Sequence, residues 1–63
     1  MNFEFILKTE EKALAKREAE MELGKAKAHL KGLKESLELL GFGFSAQEVQ
    51  EIISKLEEIR RRL

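Results

Sequence analysis

The sequence contains no cysteine, proline, tryptophan, tyrosine or aspartate, and Asn2 is its one asparagine. Each absence closes something off. Without cysteine there are no disulfides and no thiolate metal sites. His29 is the sole histidine, so a multi-histidine site is closed as well. Without proline, and with few of the short polar residues that make turns, the chain has few places to reverse direction. The apolar run Phe3, Phe5, Ile6, Leu7 is too short to span a bilayer or to serve as a signal-peptide core. The expectation is a cytoplasmic protein with no membrane partner.

Neither sign of charge dominates. Twelve basic and 12 acidic residues leave a formal net charge of zero. Strong non-specific nucleic-acid binding feeds on excess positive charge, so the balance disfavours it. Charged residues make up 38% of the chain. With a regular helical period, such a composition is that of a long helix or coiled coil. A lone domain of this size buries only ~60% of its unfolded surface. Chains so small usually need a disulfide, a metal or a partner chain. The first two are closed here, so a partner chain is the expected staple, with unusually good packing of a monomer as the alternative.

The periodicity places two helices. Residues 2–8 alternate Phe3, Phe5 and Leu7 with Asn2, Glu4, Ile6 and Lys8, which favours a short extended segment, while Asn2 could equally cap a helix start. Thr9 followed by Glu10 and Glu11 is a good helix opening, a capping hydroxyl and then two acids at the positive helix end. A long helix is expected over about 9–40. Ala19, Leu23, Ala26, Leu30, Leu33, Leu37 and Leu40 step by fours and threes along it, which is the seam of a helix packed lengthwise on another. Gly41 stands where a left-handed C-terminal cap belongs. Ser45 and Glu48 have capping-box spacing, and Phe44 with Val49 has that of a hydrophobic staple. A short turn over 41–45 then leads to a second helix over about 46–63. Its stripe is Val49, Ile52, Leu56, Ile59 and Leu63, widened by Ile53.

The fold class expected is therefore all-α, one antiparallel helical hairpin over 1–63. Val49 should lie near Leu37, Leu56 near Leu30 and Leu63 near Leu23. Arg60, Arg61 and Arg62 should point toward Glu18, Glu20 and Glu22.

The first helix also has a second stripe. Leu7, Leu14, Met21, Ala28 and Leu39 cluster well away from the seam, flanked by Gly24 and Gly32. Small residues every four positions let two backbones approach closely. A mid-helix glycine costs roughly 1 kcal/mol relative to alanine, which a close contact would offset. The expected interface with a second copy or another protein is thus Leu14, Met21, Gly24, Ala28, Gly32 and Leu39, with Phe42 as an anchor. A two-fold dimer in a four-helix arrangement follows. The alternative is a helix broken at Gly24, giving a three-helix monomer.

Chemistry is hard to find. Glu18 with Glu22, Glu35 with Glu38, and Glu10 with Glu11 sit on charged helix faces, where the usual role is solvation. Ser36, Ser45 and Ser54 lack a triad partner. The stretch 41–45, GFGFS, lacks the lysine and hydroxyl residue of a phosphate loop. No catalytic residue, cofactor, metal or small-molecule substrate is expected. Lys27, Lys31 and Lys34 share a face, and Arg60–Arg62 add a cluster, so a nucleic-acid-binding dimer is the second reading. Glu20 and Glu38 interrupt that face, and no aromatic residues are interleaved. The first reading is a non-enzymatic interaction or regulatory protein that self-associates or docks on a protein. A designed or purely structural helical bundle would share the same composition.

Overall fold

The computed structural model describes the backbone of residues 3–63 and the side chains of residues 8–63. Two helices account for it: α1, Phe3–Leu39, and α2, Gly43–Arg62. They pack on each other as an antiparallel hairpin. Alanine, leucine, glutamate and lysine, which dominate α1, have high helix propensity. Gly24 and Gly32 do not interrupt it, so the three-helix alternative is set aside. Of the two readings of 2–8, the extended one is corrected and the helical one holds: from Phe3 onward the backbone is helical, and the helix start expected near Thr9 lies inside α1. Residue 2 lies outside the described residues. Local alternation over so few positions lost to the propensity of the long helix that follows it.

The turn is tighter than expected. Gly41 adopts φ +84°. Its N–H donates to the Glu38 carbonyl at 3.1 Å, and the Phe42 N–H donates to the Leu37 carbonyl at 2.9 Å. These two bonds are the Schellman pattern, which satisfies carbonyls that the end of α1 would leave open. Phe42 serves both helices. It closes the Schellman motif and is the N-cap residue of α2, with its carbonyl accepting from the Ala46 N–H at 3.0 Å. The capping box at Ser45 is not formed: α2 begins at Gly43 and has no side-chain cap. The staple is absent too, because Phe44 is almost wholly exposed while Val49 is buried. With the Schellman turn already reversing the chain, the N-cap of α2 is Phe42, three residues before Ser45.

Two cross-helix contacts define the register. The Lys27 ammonium lies 2.8 Å from the Glu57 carboxylate, and it donates to that group. The Lys34 ammonium donates to the Gln50 side-chain oxygen at 2.7 Å. The contacts lie seven residues apart on each helix, in opposite directions. Leu30 is then level with the Ile53–Leu56 turn, as expected within about half a turn. The expected pairing of Arg60, Arg61 and Arg62 with Glu18, Glu20 and Glu22 is not formed among the described residues. The last turn of α2 holds all three arginines, where cations suit the negative helix end.

The core is small. Ala46, Val49 and Ile53 of α2 are the buried apolar residues among those described. From α1 they meet a half-buried stripe: Ala19, Leu23, Ala26, Lys27, Leu30, Lys34 and Leu37. Leu33 and Leu40, expected on the seam, are 47% and 69% exposed. Lys27 and Lys34 take the other side of the stripe, their aliphatic stems covering apolar surface while the ammonium groups reach polar partners. The molecule measures 60 × 15 × 10 Å, one helix thick. Its radius of gyration is 17.0 Å, against ~10.6 Å for a compact chain of this length.

Candidate interaction faces

A hairpin one helix thick has two broad sides. At 3.6 residues per turn, Lys27 and Lys34 lie toward one edge of the α1 stripe, and Leu33 and Leu40 toward the other. On α2, Gln50 and Glu57 lie toward one edge, and Ile52, Ile59 and Leu63 toward the other. The Lys27–Glu57 and Lys34–Gln50 contacts bring the two polar edges to the same side. Leu33, Leu40, Ile52, Ile59 and Leu63 therefore share the opposite side. All five are between 41% and 69% exposed, and they flank half-buried Leu30, Leu37 and Leu56. One side of the hairpin is polar and the other apolar.

The polar side gathers much of the basic set. Lys27, Arg60 and Arg61 surround Glu57 in one shallow depression, and Lys31 and Lys34 line the next with Glu35, Glu38 and Gln50. Arg62 is exposed and falls on the rim of the apolar side. The Glu57 carboxyl is held below the usual glutamate value. The hydrogen bond from Lys27 is the chief cause, followed by the charge of Lys27; slight desolvation opposes them, and Arg61 and Lys31 act in the lowering direction. A depressed carboxyl stabilises the fold above its unfolded value and loses that contribution as pH falls through its folded value. The pair is partly exposed, so its weight in stability is small. An NMR titration should place the Glu57 midpoint below the free-glutamate reference of about 4.3, and Lys27→Met should raise it. A midpoint at the reference in the parent chain would mean that the contact does not persist in solution.

The second stripe of α1 faces away from α2. Leu14 and Met21 are more than half exposed, and Leu39 is almost wholly exposed. Gly24, Ala28 and Gly32 are exposed as well. A β-carbon added at Gly24 or Gly32 would meet nothing within 4 Å. Packing within the hairpin therefore does not require either glycine. Phe42 is 56% exposed, at the turn. Leu14, Met21, Ala28, Gly32 and Leu39 thus lie on the back of α1 and Phe42 at the turn, while Gly24 lines the depression between the helices beside Lys27, Leu56, Glu57 and Arg60; none of them is on the apolar side of the hairpin.

The sequence shows the apolar side only in part: the three-four repeats place Leu33, Leu40, Ile52, Ile59 and Leu63 on the seams between α1 and α2. The signal that they also look outward is the width of the stripe. A strict three-four repeat marks a narrow contact, and α2 adds Ile53 and Ala46 to it.

No three acidic, cysteine or histidine side chains among the described residues come together as metal ligands would. No helix among them is long and apolar enough to cross a membrane. Comparison with protein-family models, with curated proteins and with solved structures gives no match.

Proposed function

We propose that this chain is a small non-enzymatic interaction module, which works by associating through its apolar surface with a copy of itself or with a protein partner. The observation that carries this reading is the amphipathic division of the hairpin. One side keeps its ionic and polar contacts, and the other leaves five large aliphatic side chains in solvent. Contiguous exposed apolar surface of that kind marks an interaction site in a small protein. Two titratable groups accord with this reading: Glu57 is paired with Lys27, and His29 is exposed.

A second reading has one observation in its favour. Lys27, Lys31, Lys34, Arg60 and Arg61 share the polar side, so nucleic-acid binding through that side is the competing function. Glu35, Glu38 and Glu57 are interspersed there and cancel part of the field. Titration of a labelled RNA or DNA duplex at low salt tests the choice. No change in fluorescence anisotropy is expected. An isotherm that weakens linearly in log–log form with added salt would transfer the function to the basic side.

A further inference from the structure

We infer that the apolar side of the hairpin is closed by a second copy of the same chain, stacked face to face. The inference rests on the interaction-module reading and names its partner.

Three observations select the second copy. The first is layering. A helix pair buries the stripe between its members, but a stable domain needs a second layer over the side that remains. The hairpin is one helix thick, and the described residues hold two helices and no third element. The second is area. The accessible surface is 5548 Å², against about 4,200 Å² for a compact monomer of this mass. The surplus of roughly 1,300 Å² is shared between that side and the stretch of α1 that α2 does not cover, against the ~800 Å² that each partner of a standard interface buries. The overlapped part of the hairpin is set by α2, 20 residues or ~30 Å long. Two helices side by side are ~20 Å wide, so the side presents roughly 600 Å² in projection, of the right order for such an interface.

The third is the direction of the heptad positions. Leu33 and Leu40 on α1, and Ile52, Ile59 and Leu63 on α2, tilt from the α1–α2 contact toward the same side. In a four-helix bundle each helix directs its seam at the common axis, not at one neighbour. Two hairpins related by a two-fold axis would bring four such seams together, and the interface would be self-complementary. The polar edges, with Lys27–Glu57 and Lys34–Gln50, would remain outside. The small residues would also remain outside, Ala28 and Gly32 on the back of α1 and Gly24 on the polar side, so they are not the dimer contact.

Sedimentation equilibrium of the full chain from micromolar to millimolar concentration tests the inference, with helicity followed by circular dichroism. Twice the chain mass is expected at the upper end. Ile52→Lys together with Ile59→Lys should weaken the dimer by roughly a hundredfold in Kd. Both side chains are already half exposed in the hairpin, so losing helix at low concentration is not their direct effect. Gly24→Leu with Gly32→Leu is the second variant. It should leave the dimer unchanged, because Gly32 lies on the back of α1 and Gly24 on the polar side beside Lys27 and Glu57, both away from the apolar side. A helical monomer at every concentration would overturn the second copy while leaving a different protein as partner. A dimer insensitive to the lysine pair but lost in the leucine pair would overturn the face. Binding of the duplex described above would instead remove the reading on which the inference stands.

Discussion

Ile53→Ala is expected to destabilise the chain by about 2–4 kcal/mol and to abolish a cooperative thermal transition at low concentration. Ile53 is 2% exposed, the most buried large side chain described. It is flanked by Val49 on the same stripe of α2 and lies level with Leu30 of α1. Truncation removes methyl groups and leaves a gap that two rigid helices cannot close. A domain this small has only a few kcal/mol to lose. Ile52→Ala, one position along, changes a half-exposed residue and should cost markedly less in the isolated hairpin. Circular dichroism melts of both variants decide the point. Equal melting temperatures for Ile53→Ala and the parent would mean that α1 and α2 do not pack in this register.

Gly41→Ala is expected to cost about 1–2 kcal/mol, for a different reason. No atom stands within 4 Å of where its β-carbon would be, so there is no clash with another part of the fold. The cost is torsional, because φ +84° is a region that L-residues avoid. The Schellman bonds from Gly41 and Phe42 depend on that conformation. Substitution would therefore loosen the reversal that places α2 on α1. D-alanine at the same position, introduced by synthesis, adopts positive φ readily and should stabilise the hairpin by limiting the unfolded chain. Loss of stability with D-alanine equal to that with L-alanine would show that the left-handed cap is not formed.

The hairpin was legible because its strongest signals were local and redundant. Gly41 after a leucine run and two apolar stripes with few competing turn residues leave little else to build. What was less legible depended on rotation about the helix axis. A three-four repeat says that a helix packs lengthwise, but Leu33 and Leu40 satisfy that repeat whether they face α2 or the axis of a bundle. Lys27 and Lys34 look like surface residues in a one-letter sequence. Their long stems made them half-buried members of the α1–α2 contact, and that displaced the leucines to the open side. Ser45 misled because a capping box is a local motif, and the Schellman turn had already set the start of α2 at Gly43. The small-residue stripe was legible as a pattern. Its role was not, since spacing alone does not say whether anything approaches it.

The most direct measurement is an isotope-filtered NOE experiment on a mixture of labelled and unlabelled chains at a concentration where mass is doubled. Contacts between chains are expected from the methyl groups of Ile52, Ile59, Leu33 and Leu40, and not from Leu14 or Met21. Interchain contacts confined to Leu14, Met21 and Ala28 would contradict the face-to-face arrangement and return the interface to the glycine-bearing back of α1.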